Sequence, residues 1–245
     1  GRRGQGVLRR GSPGSKATAS QAEIDQDSIR PLADALPVAI RSNKSTGAPG
    51  EAVVKCASPG DCRDECMSAA NHSVSVLMAV HNAGRFLDAA VESILRQTHC
   101  DFEMVIIDDG SSDGSGARLD AFAVRDPRVR VTHQENRGPG ATLQRCLELA
   151  QGAIVVMIDH DDAARPERIA RQLAFLEANP RIAAVGTAIG YIDGESRPTG
   201  EVRYAETPGE IVNALHAGQS PMAHPSVAMR RETALAVGGY RAAFR

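Results

Sequence analysis

From Val74 to Ile189 the chain alternates short apolar, β-prone runs with stretches of helical periodicity, and this alternation constrains its fold more than any other feature. The β-prone runs are Val74–Val80, Glu103–Ile107, Arg128–Thr132, Ala153–Ile158 and Ile182–Ile189. Between the first two, Phe86, Leu87, Ala90, Val91, Ile94 and Leu95 recur at helical spacing within Gly84–Thr98. Further helices are expected near Ser115–Arg125, Ala141–Ala150 and Pro166–Ala178, with Pro166 in a first turn, where its missing N–H costs nothing. Strands alternating with helices make βαβ units, so the expected class is α/β with a doubly wound, mostly parallel sheet flanked by helices. Beyond it, Tyr191–Tyr204 reads as a hairpin turning at Asp193-Gly194, Pro208–Ala217 as a helix and Ser226–Met229 as a last short strand.

The first 72 residues have a different texture. All eight aromatic residues lie at Phe86 or later, and the N-terminal part is rich in Gly, Ser, Ala, Pro and Arg. Such a segment buries too little apolar surface to offset its ordering entropy. The expected organisation is a disordered tail over 1–72, with short helices conceivable at 28–40 and 61–70, and one domain over 73–245. A net charge of −2 gives no reason to expect nucleic acid as a partner. No apolar run approaches the roughly 20 residues that span a bilayer, so no transmembrane segment is expected. A cytoplasmic or membrane-peripheral location follows as the expectation, left open at the N-terminus because the chain starts at Gly1 without a Met. Cys56, Cys62 and Cys66 are spaced C-x5-C-x3-C, unlike the paired C-x2-C of common zinc sites, and read as free thiols.

Two acidic clusters end two of the apolar runs. Asp159-His160-Asp161-Asp162 follows Ala153–Ile158, and Asp108-Asp109-Gly110-Ser111-Ser112-Asp113-Gly114-Ser115 follows Met104–Ile107. Three carboxylates within four residues repel one another unless a positive charge sits between them. A divalent cation does this, and oxygen ligands suit Mg²⁺ or Mn²⁺. Clusters at the ends of two parallel strands point to one site at the carboxyl edge of the sheet. Either cluster alone also reads as a polar turn with a helix cap.

The G-x-G-x-x-G of dinucleotide folds is absent, since the first turn is His81-Asn82-Ala83-Gly84-Arg85, and no P-loop is present. Gly110-Ser111-Ser112-Asp113-Gly114 fits the nucleophile elbow G-x-S-x-G, with Ser112 as nucleophile, which keeps a serine hydrolase as an alternative.

Taken in order, Val74–Asn82, Ile107–Ser115, Asn136-Arg137-Gly138, Met157–Asp162, His224-Pro225-Ser226 and Gly238-Gly239-Tyr240 resemble the motifs of the family 2 glycosyltransferases, which have the GT-A fold. The resemblance covers about residues 73–245. It implies an inverting, metal-dependent transfer of a sugar from a nucleotide-diphosphate donor, UDP-linked as the first expectation, to an unknown carbohydrate, lipid or protein hydroxyl. Ala79, His81 and Asn82 would hold the nucleoside base, His81 standing where the family often has Tyr. Asp108 would accept from the base N–H, Asp109 would face the ribose, and Gly110 would let the backbone approach. Asn136, Arg137 and Gly138 would line the same cleft. Asp159 and Asp161 would hold the cation, with Asp162 supplementing them or touching the sugar, and His160 would be a spacer. His224 and Ser226 would border the acceptor. The family's base, an Asp in a Glu-Asp pair after Gly-Gly-Tyr, has no counterpart up to Arg245 and is expected beyond it. A nucleotide-sugar-binding module without transfer activity is therefore the second alternative.

Overall fold

The computed structural model describes residues 73–193 and 197–241. The expected tail with its two short helices, the first three cysteines and Gly194 of the expected turn lie outside them. Six strands form the main sheet, and the first four are parallel: β1 (Val74–Val80), β2 (Phe102–Asp109), β3 (Val129–Gln134) and β4 (Ile154–Met157). They are joined by α1 (Leu87–Leu95), α2 (Ser115–Arg125) and α3 (Pro139–Leu149), and α4 (Arg168–Ala178) follows β4. β5 (Ala184–Val185) comes next. A separate antiparallel hairpin, β6 (Ile189–Ile192) with β7 (Pro198–Val202), precedes α5 (Pro208–His216), β8 (Ala228–Arg230) and α6 (Arg231–Ala236).

The strand order is β3-β2-β1-β4-β8-β5. The chain therefore winds outward from β1 in one direction through β2 and β3, and then returns to β1's other side with β4. The gap between the carboxyl ends of β1 and β4 is the switch point, where open α/β sheets take their ligands.

Residue alternation along β1 sends side chains to opposite faces. Val76, Met78 and Val80 join a core with Leu87, Val91 and Ile94 of α1, Leu119 and Phe122 of α2, and Ile169 and Leu176 of α4. Leu77 packs on the other face with Val105, Ile107, Val155 and Met157 against Cys146 and Leu147 of α3. Both faces of β1 and β2 are covered, which is why these strands are apolar almost throughout. The exceptions are paired across the sheet. Ser75 Oγ donates to Glu103 Oε1 at 2.6 Å and accepts from Gly152 N, while Arg130 pairs with the other Glu103 oxygen.

The expectations for β1, β2 and α2 match the structure closely. The expected strand Ile182–Ile189 does not form as such. Ala184–Val185 pairs antiparallel to β8, because β8 has taken the place beside β4, and Ile189 opens the separate hairpin. Gly186 then leaves the sheet, tight against Met222. The expected strand Ser226–Met229 is displaced two residues later, since His224–Ser226 coils into a 3-10 turn with Pro225 at its start. Gly84–Phe86 is likewise a 3-10 turn, so the first helix begins at Leu87. Among the described residues no helix is long and apolar enough to cross a membrane.

Candidate functional site

Two loops meet over the carboxyl end of β1. After β1 the chain turns at Asn82, which adopts φ +52°. That left-handed conformation is strained for most side chains, and Asn is among those that tolerate it. Asn82 Oδ1 accepts from Ser112 N at 2.8 Å, and Asn82 N donates to Ser111 Oγ at 2.9 Å. Ala83 N donates to Ser115 Oγ, and Gly84 N to Asp113 Oδ2. Asp113 Oδ1 also accepts from Ser115 N in the first turn of α2. Hydrogen bonds from Ser115 and Gly84 hold the Asp113 carboxyl down at about 2.

His81 is exposed at the cleft but its ring is fixed. Nδ1 lies 2.9 Å from Asp109 O, and Nε2 lies 3.0 Å from Asn82 Nδ2. A carbonyl can only accept, so Nδ1 carries the proton and Nε2 accepts from the amide. Asn136 Nδ2 packs on the same ring, 3.1 Å from Nδ1 and 3.3 Å from the accepting Nε2. His81, Asn82 and Asn136, expected at one site, are thus brought together. Ala79 is half-buried near the carboxyl end of β1, paired with Ile107.

Asp108 and Asp109 are only 5% and 3% exposed. Burial works against their charge, yet the donors around each outweigh it and both carboxyls lie below the ordinary range. Asp109 Oδ1 accepts from Gln134 Nε2 and Arg137 N, and Oδ2 from Gly138 N. Its carboxylate therefore ties the Asn136–Gly138 loop to β2. Asp108 Oδ1 accepts from Ser111 N and Oδ2 faces His133 Nδ1. Much of the hydrogen-bonding capacity expected to face a ligand is spent on shaping the loops. Gly110 behaves in the same way. At φ +74° a Cβ would stand 3.0 Å from Asn136 N, so the close approach it permits is to the neighbouring loop.

Asp159, His160, Asp161 and Asp162 lie just past β4, beside the switch point, in a turn closed by Asp162 N donating to Asp159 O. Desolvation, opposed by His224 and reinforced by Asp161, pushes the Asp159 carboxyl up. The Asp162 carboxyl is pushed up to about 6 by desolvation and then by Asp159 and Asp161. Arg168 is the nearby cation. It donates to Met157 O at 2.6 Å and Gln172 Oε1 at 3.2 Å, so it braces the strand end without forming an ion pair with the cluster. His160 Nδ1 is buried with no hydrogen-bond partner. The loop thus carries crowded oxygen donors whose charge Arg168, His160 and His224 offset only in part. No ready-made group of three metal ligands is present among the described residues. One or two carboxylates completed by a ligand's phosphates and water are what Mg²⁺ and Mn²⁺ sites commonly use, and the donor set fits that.

The carboxyl-terminal motif closes over the same edge. His224 Nε2 and Tyr240 Oη are 2.9 Å apart, with the rings edge to face at 5.5 Å. Tyr240 Oη also lies 3.4 Å from Met157 Sδ, and Tyr240 N donates to Gln144 Oε1. Desolvation lowers the His224 imidazole, while Asp159 opposes the shift. Ser226 is buried: its hydroxyl donates to Ala223 O and accepts from Thr187 N. It pins the turn, whereas His224 faces the edge. Arg137 and Tyr240 line an open cavity of about 550 Å³ together with Gln144, Arg145 and Glu148.

Ser112 is exposed, and its hydroxyl lies 3.5 Å from Asn82 Oδ1. Among the described residues no histidine pairs with it, so the elbow pattern is here a loop-sealing turn. The sequence reading missed His133, Gln134 and Arg168. Gln134 and His133 follow Thr132 at the end of a strand, and only the β2–β3 register places them beside β2's acidic pair.

Residues 75–238 match the family Glycosyl transferase family 2. EpsE of Bacillus subtilis is 31% identical over 175 residues, 70% of this chain and 61% of that protein. Glycosyltransferase GlyG of Streptococcus pneumoniae is 40% identical over 97 residues, 39% of this chain and 32% of that protein. The chain thus spans under two thirds of these relatives. Among solved structures, the mannosyltransferase PcManGT from Pyrobaculum calidifontis, in complex with GDP-Man and Mn²⁺, superposes with a TM-score of 0.52 at 21% identity, over 75% of this chain and 53% of that one. TarS 1–349 of S. aureus in complex with UDP-GlcNAc gives 0.52 at 20% identity, over 69% of this chain and 48% of that one. At such identity the likeness shows a common fold.

Proposed function

Since this chain belongs to glycosyl transferase family 2 and has its GT-A fold, we propose that it provides the donor half of a sugar transfer from a nucleotide-diphosphate to an acceptor hydroxyl. One observation carries the reading. Asp159, Asp161 and Asp162 crowd only partly compensated negative charge at the switch point, on the same sheet edge as the ordered His81–Asn82–Asn136 cleft.

In this reading the nucleoside lies over Ala79, His81 and Asn82, with the fixed imidazole as a flat platform for the base. Asp108, Asp109 and Gly110 shape the floor, and Asn136, Arg137 and Gly138 form the second wall. The Arg137 guanidinium offsets phosphate charge. Asp159 and Asp161 would hold Mn²⁺ or Mg²⁺, with Asp162 beside them. When bound, the cation supplies charge stabilisation to the departing nucleoside diphosphate. His224, held by Tyr240, borders the side from which an acceptor hydroxyl approaches, and Ser226 keeps that turn in place. Inversion requires a carboxylate opposite the leaving group to take the hydroxyl proton, and no described residue is assigned to it. UDP is the first donor nucleotide to test and GDP the second.

The test is calorimetry with UDP and with GDP, in MnCl₂ and in EDTA, on the parent and on Asp161→Ala. Binding should require the metal and be lost in the variant while the melting temperature holds. Equal nucleotide affinity in EDTA and MnCl₂ would remove the metal role. A donor-hydrolysis screen over nucleotide-sugars then separates a transferase from a module that only binds.

A further inference from the structure

Asp108, Asp120 and His133 come from three elements and meet in one row. β2 and β3 pair in parallel with Asp108 opposite His133, and α2 carries Asp120 back over the same edge. His133 Nδ1 lies 2.9 Å from Asp108 Oδ2, and Nε2 lies 2.9 Å from Asp120 Oδ1. These two carboxylates, one from β2 and one from α2, are the charged groups that face the ring. A neutral imidazole has one donor and one acceptor nitrogen, whereas a carboxylate only accepts. Two carboxylates on two ring nitrogens are matched only by the imidazolium. Asp108 and then Asp120 accordingly raise the His133 pKa above its usual value.

The packing is specific to this arrangement. A Cβ on Gly116 would stand 2.8 Å from Asp108 Oδ2 and 3.4 Å from His133 Cε1, so the clamp fits because the second residue of α2 is glycine. The clamp also leads into the cleft. The other Asp108 oxygen receives Ser111 N at 3.1 Å, Ser111 Oγ receives Asn82 N, and Asn82 Nδ2 fixes the His81 ring. Rotation of the Asp108 carboxylate would therefore loosen the turn that carries the platform.

We propose that His133 is a positioning residue of the donor cleft: as an imidazolium between Asp108 and Asp120, it holds Asp108, and through Ser111 and Asn82 the His81 wall, in the arrangement that receives the nucleobase. This rests on the donor reading above. With a raised pKa, the clamp is intact below the ordinary imidazole range and is lost as pH rises through the folded value. Nucleotide affinity falls over the same interval.

The experiment measures UDP affinity in MnCl₂ between about pH 6 and about pH 9 for the whole chain, Asp120→Asn and His133→Gln. Asp120 is exposed, so its replacement spares the fold. It should leave affinity at low pH unchanged and move the fall to lower pH, because one of the two carboxylates that favour the imidazolium is gone. His133→Gln should give a flatter profile. His81, the cleft's other imidazole, is common to all three proteins, so the comparison isolates His133. Nitrogen-15 NMR of the imidazole rings, recorded without nucleotide, should show His133 titrating earlier in Asp120→Asn. Superimposable pH profiles for parent and Asp120→Asn, or a His133 ring in the parent that titrates no higher than an ordinary imidazole, would overturn the proposal. If the parent binds neither UDP nor GDP at any pH, the donor reading fails and the clamp's role falls with it. The ring titration then shows separately whether the clamp itself exists.

Discussion

Replacing Asp109 with Asn tests how the cleft is built. The side chain is 3% exposed and accepts from Gln134 Nε2, Arg137 N and Gly138 N. Asn has the same shape but only one accepting oxygen. Its better orientation keeps that oxygen on Gln134 and Arg137 and turns the amide NH₂ toward Gly138 N, donor against donor. The change removes one bond to a charged acceptor and leaves Gly138 N only its longer bond to Asn136 Oδ1, 3.2 Å, at a cost of about 1.5–3 kcal/mol. At roughly 2–4 °C per kcal/mol for a domain of this size, the midpoint should fall by about 3–12 °C. Thermal melting followed by far-UV circular dichroism reads this directly. The pH dependence adds a second check. Because the folded carboxyl lies below its ordinary value, the stability it contributes is present above the unfolded pKa of about 3.9 and is lost as pH falls through the folded value. The gap between parent and variant should therefore be constant near neutrality and close in acid. Melting curves that coincide at neutral pH would refute the idea that Asp109 holds the Asn136–Gly138 loop.

Three further outcomes are expected. Gly152→Ala would place a Cβ 2.6 Å from Ser75 N and Val74 C; because backbone cannot yield as a side chain can, the loss should reach about 1–3 kcal/mol or more, read as a lower urea midpoint. Tyr240→Phe removes the hydroxyl shared by His224 and Met157 Sδ and should cost about 0.5–1.5 kcal/mol, with a shift in the His224 ring resonances; unchanged resonances would count against the contact. A chain that starts at residue 73 should melt and bind UDP like residues 1–245, since 1–72 hold no aromatic residue, and unfolding of the shortened chain would place the domain boundary elsewhere.

The strand–helix alternation and the acidic clusters at strand ends were legible because they are local. Helical spacing from Leu87 to Ile94 and the apolar run from Val74 to Val80 report burial through period and propensity alone. A βαβ chain then has little choice about where its strand ends gather, so Asp108 and Asp159 had to lie on one edge. Through-space competition was not legible. Ile182–Ile189 looks as β-prone as Ala153–Ile158, yet the place beside β4 went to β8, approaching from a later turn and in the opposite direction. The partners of Asp108 were equally hidden. Only the β2–β3 register puts His133 opposite it, and only the path of α2 brings Asp120 to the other ring nitrogen. Residue types and periods follow from the sequence, because each depends on a few neighbours along the chain. Which carboxylate faces a ligand and which is bound into the scaffold depends on contacts between residues 13–25 positions apart, and the tertiary structure alone decided it.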